Sequence, residues 1–167
     1  TALFKIVSGH KALSYDDLWD AYKTTDVRSD GKIWDMYSSK TNYSVNDHGG
    51  GYRKEGDMFN REHSFPKSWF NDAKPMYTDL FHLYPTDGYV NGRRSNYPYG
   101  ENNGEKYSSA DGFSKLGKCT TEGYSGIVFE PNDEYKGDLA RTYFYMATAY
   151  EDCISSWSSP MLSGNAY

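Results

Sequence analysis

The feature that most constrains this fold is a shortage of aliphatic side chains combined with an abundance of aromatic ones. The 167 residues include 17 Tyr, 8 Phe and 4 Trp, so aromatic residues make up 17% of the chain. A chain of this length is sufficient for one domain with a sizeable core. We therefore expect a single domain over residues 1–167, with a core of aromatic rings and Tyr hydroxyls hydrogen-bonded at its margin.

The net charge and the number of cysteines exclude few classes of protein. The net charge of −5 counts mildly against nucleic acid binding, because phosphate contacts usually leave a basic footprint. Bound cations and a local basic patch can reverse that sign. Cys119 and Cys153 are too few for a disulfide scaffold. A bond between them would close a loop of about 34 residues and contribute roughly 4 kcal/mol, but their spacing leaves open whether it forms.

Periodicity and turn residues predict an α+β organisation without internal repeats. Asn91-Gly92 is typical of a hairpin turn, although a helix through it remains the alternative. No apolar run is long enough to cross a membrane, and the chain starts at Thr1 without an apolar signal region. The predicted strands cover 33–37, 58–65 and 80–84. The predicted helices start at 14 and cover 66–70, 85–95 and 138–152. Residues 97–126 are expected to form a long loop region, with short strands within it as an alternative.

Asn60-Arg61-Glu62-His63 carries the most chemistry. The unperturbed pKa of His63, about 6.5, suits an imidazole that takes a proton from water near neutral pH. Glu62 offers the hard oxygen that Mg²⁺ prefers. Neighbours in a strand point to opposite faces, so both residues serve one site only if the strand ends or bends there, which Pro66 favours. An isolated His or Glu is more often structural or solvated, and both interpretations stay open.

Three downstream features are ambiguous in the same way. Asn91 supplies either a turn or an amide oxygen for a metal. The adjacent guanidinium groups of Arg93 and Arg94 match phosphate bidentately, but charge pairs usually lie on a solvated face. His82 either lines a site or hydrogen-bonds at the edge of the core, and the second interpretation is favoured.

Taken together, these motifs resemble the bacterial endonuclease I family, secreted or periplasmic nucleases of the His-Me finger (ββα-metal) group. The matching stretches are FNREHSFPKSWF at 59–70, DLFHLYPTDG at 79–88 and VNGRRSNYPYGE at 90–101. Residues 15–38 and 129–146 also look like the family. The resemblance implies a strand ending at His63, a second strand at 80–84 and a helix carrying Asn91, within a ββα-metal core over about 57–96.

The resemblance also implies roles for individual side chains. His63 would be the general base, and Glu62 and Asn91 would hold a divalent metal, Mg²⁺ with Ca²⁺ or Mn²⁺ as alternatives. Arg94 is the first candidate for a phosphate clamp and Arg93 the second. Arg61 and His82 are further candidates for substrate contact.

The expected function is metal-dependent, largely sequence-non-specific endonuclease activity on DNA, with RNA open as a second substrate. The expected products carry 5′-phosphate and 3′-hydroxyl ends, and the expected protein is a secreted or periplasmic monomer. Two alternatives remain: an aromatic-rich module that binds polysaccharide or another surface ligand, and an inactive nucleic-acid binder. The second stays open because a correct motif does not prove correct geometry.

Overall fold

The fold combines two small antiparallel sheets with α-helices, which confirms the α+β class. The computed structural model describes residues 1–40 and 42–160. Short 3₁₀ helices connect several of the elements. The α-helices are α1 (Ala2–Val7), α2 (Asp17–Thr25), α3 (Gly88–Arg94) and α4 (Asp133–Ala149), and the strands are β1 (Phe59–His63), β2 (Leu83–Asp87), β3 (Tyr107–Ser108), β4 (Lys115–Lys118) and β5 (Ile127–Glu130).

Strands β1 and β2 and helix α3 form one packed unit. The strands pair antiparallel, with Phe59 opposite Asp87 and His63 opposite Leu83. Helix α3 follows β2 without a loop and packs against both strands. The Asp87 carboxylate caps it by accepting a hydrogen bond from the Val90 amide at 2.8 Å. This order places the side chains of α3 beside the C-terminal half of β1.

The predicted strand over 80–84 is wrong in its position. Leu80–His82 is a 3₁₀ helix, whose turn is capped because the Asp79 side chain accepts a hydrogen bond from the Phe81 amide. The strand begins only at Leu83. Helix α3 likewise begins after the predicted start, since Pro85 lies in β2 opposite Arg61. A two-stranded sheet tolerates this proline because each strand has one unpaired edge.

Other boundaries also differ from the prediction. Residues 33–37 form no strand, although Ile33 makes one bridge with Val27 and is fully buried. Asn91-Gly92 lies inside α3, so the hairpin alternative is wrong. Helix α4 starts earlier than predicted because the Asn132 side chain caps its first turn. The loop-rich region over 97–126 contains β3 and β4, which pair with β5 in the second sheet.

The core is rich in aromatic rings, as predicted. Many buried Tyr hydroxyls are hydrogen-bonded: Tyr150 donates to Asp79 at 2.6 Å and Tyr43 donates to Asp87. Tyr22 is an exception, with no partner for its hydroxyl among the described residues. The three buried clusters are Met36, Tyr37, Val90, Leu116, Phe129, Tyr135 and Leu139; Phe65, Trp69, Phe70, Met76, Met146, Ala149 and Tyr150; and Leu18, Tyr22, Ile33, Tyr43, Phe59 and Leu83.

Two sequence questions are answered by the same structure. Cys119 and Cys153 are both free, so they form no disulfide with each other here. Within residues 1–40 and 42–160, no helix combines the length and apolar character that a membrane span requires.

Helix α3 depends on a glycine at its first position. A Cβ added to Gly88 would lie 2.6 Å from Cε1 of Tyr52 and still closer to Cδ1. We expect Gly88→Ala to lower the free energy of unfolding by about 1–3 kcal/mol through overpacking. Urea denaturation checks this, with Gly50→Ala as the matched control because Gly50 has open space around it. Equal midpoints for the two variants would contradict the packing argument.

Candidate active site

The buried side chain of Arg94 hydrogen-bonds to several parts of the site. Its side chain is fully buried, and its Nη1 donates to Glu62 Oε1 at 2.8 Å and to the His63 carbonyl at 2.9 Å. Its Nη2 donates to the Ser64 carbonyl at 2.8 Å, and its Nε donates to the Tyr97 carbonyl at 2.9 Å. A single guanidinium therefore fixes both the carboxylate of Glu62 and the main chain at the end of β1.

Glu62 keeps one carboxylate oxygen unused. Glu62 is 3% exposed, and its Oε2 atom is buried without a hydrogen-bond partner among the described residues. Burial raises the pKa of Glu62 to about 7, against the opposing effect of the Arg94 charge. A buried oxygen that lacks a partner is costly unless a ligand satisfies it. This arrangement fits an oxygen ligand for a divalent cation.

Asn91 presents its amide to the same stretch of β1. Its Nδ2 donates to the Arg61 carbonyl at 3.3 Å, which leaves Oδ1 as the atom able to bind a cation. Asn91 and Arg94 are three residues apart on α3 and therefore share a face. No group of three or more His, Cys, Asp or Glu able to hold a metal occurs among the described residues. Glu62 and Asn91 fit Mg²⁺, which often takes one or two protein oxygens and keeps several waters.

His63 is held as a neutral imidazole. It is the last residue of β1 and is 6% exposed, and its Nε2 lies 2.9 Å from the Tyr77 carbonyl oxygen. A carbonyl only accepts hydrogen bonds, so Nε2 carries the hydrogen and Nδ1 holds the lone pair. Burial, with a smaller contribution from neighbouring His82, lowers the pKa of His63 to about 3. The imidazole is therefore uncharged at neutral pH, with its lone pair on Nδ1.

His82 lies in the core beside His63. It is fully buried, its Nε2 is 2.6 Å from the Met76 carbonyl oxygen, and the two imidazole centroids are 5.6 Å apart. Met76 and Tyr77 are neighbours in one 3₁₀ helix, so consecutive carbonyls hold both histidines. His82 presents no surface to a substrate in this structure and occupies the hydrogen-bonded core position that the sequence analysis favoured.

Arg61 is enclosed by aromatic rings. Its guanidinium carbon lies 3.4 Å from the Tyr15 centroid and 4.0 Å from the Trp19 centroid. Its Nη1 donates to the Tyr15 carbonyl at 2.6 Å. Arg61 therefore ties the beginning of α2 to β1, and only 13% of its side chain is exposed. Sequence reasoning did not assign Tyr15 or Trp19 to the site, because no local pattern indicates their contact with Arg61.

Tyr77 is a second residue that the sequence did not single out. Its ring lies 5.2 Å from the His63 ring at an interplanar angle of 28°, and its carbonyl fixes the His63 tautomer. A main-chain acceptor leaves no signal in residue type, so no sequence pattern could have indicated this contact.

Arg93 is separated from this arrangement by its position on α3. It is exposed, its Nη2 donates to the Tyr89 hydroxyl, and its guanidinium carbon lies 5.4 Å from the Tyr107 centroid. Hydrogen bonds therefore join Arg94 directly to Glu62 and to the main chain of His63. Asn91 is bonded to the main chain of β1, and Arg93 takes no part in these contacts.

Comparison with known proteins identifies the family of this chain. The family model described as Endonuclease I matches residues 1–167, and the chain belongs to that family. An "Extracellular ribonuclease" of Bacillus subtilis (strain 168) is 39% identical over 155 residues, covering 90% of this chain and 49% of the relative. The protein of the same name from Bacillus amyloliquefaciens is 38% identical, covering 90% and 48%.

More distant similarity extends to a second named group. An "Endonuclease-1" of Buchnera aphidicola subsp. Acyrthosiphon pisum (strain APS) is 32% identical over 91 residues, covering 54% of this chain and 34% of the relative. The chain thus spans about half the length, or less, of the curated relatives it matches.

The adjacent arginines of α3 should differ sharply in their contribution to stability. We expect Arg94→Ala to lower the free energy of unfolding by about 3–5 kcal/mol, because it leaves the Glu62 carboxylate buried without its partner. Arg93→Ala should cost less than about 1 kcal/mol, because its side chain is exposed. Urea denaturation of both variants measures the difference.

Arg94→Lys covers the case in which the alanine variant does not fold. It keeps the charge but not the planar set of donors, so it should fall between the other two variants. Equal stability of the Arg93 and Arg94 variants would contradict the buried role of Arg94.

Proposed function

We propose that this chain is a metal-dependent endonuclease that hydrolyses phosphodiester bonds. The proposal is carried by the buried Oε2 of Glu62, which has no hydrogen-bond partner within residues 1–40 and 42–160, in the residue before a neutral imidazole. A hard oxygen ligand and a proton acceptor are the two groups that metal-assisted hydrolysis of a phosphodiester needs. Membership in the endonuclease I family supports the same chemistry. The unit of β1, β2 and α3 is then the ββα-metal core.

His63 acts in this proposal as the general base. Its Nδ1 takes a proton from the attacking water, while the Nε2 hydrogen stays bonded to the Tyr77 carbonyl. The carbonyl keeps the ring in one tautomer and stabilises the positive charge that the ring acquires. Burial of the uncharged ring keeps Nδ1 unprotonated until a substrate arrives.

Glu62 and Asn91 hold the divalent cation in this proposal, with Mg²⁺ first and Mn²⁺ or Ca²⁺ as alternatives. Such a cation supplies Lewis-acid stabilisation of the charge that develops on the phosphate and on the leaving 3′ oxygen. Glu62 would contribute Oε2, which has no partner in the described part of the chain, and Asn91 would contribute Oδ1, since its Nδ2 donates to the Arg61 carbonyl. The products would carry 5′-phosphate and 3′-hydroxyl ends.

Arg94 serves in this proposal to position the site rather than to clamp phosphate. Its donors are bonded to Glu62 and to main-chain carbonyls, and the guanidinium is fully buried. Orientation of a ligating carboxylate by an outer partner is a common device in metal sites. Direct phosphate contact then belongs to more exposed cations.

The proposed substrate is DNA without strong sequence preference, with RNA as a second substrate. The name Extracellular ribonuclease supports RNA as a substrate, and the name Endonuclease-1 supports internal cleavage of a nucleic acid. Two of the relatives are named extracellular, and we propose that this chain also acts outside the cytoplasm, as a monomer.

Replacing His63 should abolish most activity without unfolding the protein. We expect His63→Ala to lower turnover by about 10²–10⁴-fold through loss of the general base. Digestion of plasmid DNA and total RNA with Mg²⁺, and with EDTA instead, measures the effect.

The matched control is His10→Ala, which removes another partly buried histidine that contacts Asp79 away from Glu62. Near-normal turnover of the His63 variant would remove this residue from the mechanism. Intact nucleic acid in every lane with folded parent protein would favour the inactive binder, and cleavage unaffected by EDTA would overturn metal dependence.

Replacing Asn91 should weaken metal binding directly. We expect Asn91→Ala to raise the Mn²⁺ dissociation constant about tenfold or more, because one of two protein oxygens is lost. Titration calorimetry with Mn²⁺ on the His63→Ala background measures binding without turnover. Asn96→Ala is the control, since Asn96 is an exposed amide just beyond α3. Equal affinities for the two variants would exclude Asn91 as a ligand.

A further inference from the structure

Lys67 and Asp72 form an exposed ion pair on the connection between β1 and β2. The Lys67 Nζ donates to Asp72 Oδ1 at 2.7 Å, and the Asp72 amide donates to the Lys67 carbonyl at 2.9 Å. Asn71 and Asp72 both have left-handed backbone angles, with φ of 55° and 54°. The turn therefore holds this carboxylate directly beside the ammonium group of Lys67, whose side chain is 45% exposed.

The pair lies beside the proposed general base. Lys67 Nζ is 5.6 Å from the centroid of Tyr77, whose ring stacks on His63 at 5.2 Å. The Tyr77 ring thus connects the ion pair to the position at which the proposed reaction would take place.

Lys67 is the cation near His63 that is best able to change partners. Arg94 is fully buried, and Arg61 is enclosed between two rings with 13% of its side chain exposed. An exposed ion pair such as Lys67–Asp72 contributes little net stability, so exchange of its carboxylate costs little. A phosphodiester carries one negative charge and oxygen acceptors, as the Asp72 carboxylate does.

We propose that Lys67 binds a backbone phosphate of the nucleic acid substrate beside the scissile bond, and that Asp72 occupies Lys67 until the substrate displaces it. This inference rests on the proposed function, because it places a phosphate next to His63. Asp72 is then an internal competitor of the substrate. The two members of the pair must have opposite effects on substrate affinity.

The test uses the full chain with His63→Ala, so that the probe is not cut. Fluorescence polarisation with a fluorescein-labelled 16-base-pair DNA duplex in Mg²⁺ measures the dissociation constant between 25 and 200 mM salt. We expect Lys67→Ala to raise it about three- to tenfold at 100 mM salt and to reduce the slope of log K against log salt by about 0.9. Asp72→Asn should lower it about two- to fivefold, and Asn tolerates the left-handed backbone.

The control pair is Lys23–Asp20, which has the same 2.7 Å separation and a similarly exposed lysine. Lys23→Ala and Asp20→Asn should both leave the dissociation constant within about twofold of the parent value. If Lys67–Asp72 is only a structural salt bridge, its two variants will change affinity in the same direction or not at all, which overturns the inference. Failure of the parent to bind the duplex at any salt concentration also overturns it.

The proposed function can fail separately. If the protein with His63 intact cuts no nucleic acid but the two variants shift duplex affinity in opposite directions, Lys67 is a phosphate ligand and the hydrolytic proposal is wrong. If cleavage is normal and affinity is unchanged in both variants, the hydrolytic proposal stands and Lys67 has no part in it.

Discussion

The fully buried guanidinium of Arg94 is the interaction on which the site depends. An unpaired charge in the core would be prohibitively costly, so each of its three nitrogens needs a partner. One carboxylate and three main-chain carbonyls accept four hydrogen bonds from these nitrogens, and the Tyr99 ring centroid lies 4.5 Å from the guanidinium carbon. The consequence is geometric: α3 cannot move relative to the end of β1 without breaking these bonds.

A second constraint is the way in which aromatic rings and main-chain carbonyls position the histidines. A core built from rings has rigid flat faces, and Tyr15 and Tyr77 both stack against His63. The 3₁₀ helix Met76–Thr78 supplies the carbonyls that orient His63 and His82. The long connection between β1 and β2 is therefore part of the site, although it contributes no proposed metal ligand.

The sequence predicted more of the chemistry than of the exact elements. The α+β class was predicted, and the family resemblance predicted a strand ending at His63 and a helix carrying Asn91. Local patterns had indicated a longer strand over 58–65 and a hairpin turn at Asn91-Gly92. The second strand was misplaced because Leu80–His82 has the hydrophobic character of a strand but is turned by the Asp79 cap. A local hydrophobic pattern does not show that a preceding side chain such as Asp79 caps the turn.

By itself, the sequence determined which side chains are available: an adjacent carboxylate and imidazole, a downstream amide, two neighbouring arginines and enough rings for a core. Only the tertiary structure decided how they are used. It buried Arg94 and exposed Arg93, although the two are adjacent and chemically identical. The physical reason is that a helix turns about 100° per residue, so neighbours on α3 face different surroundings, which long-range packing alone defines.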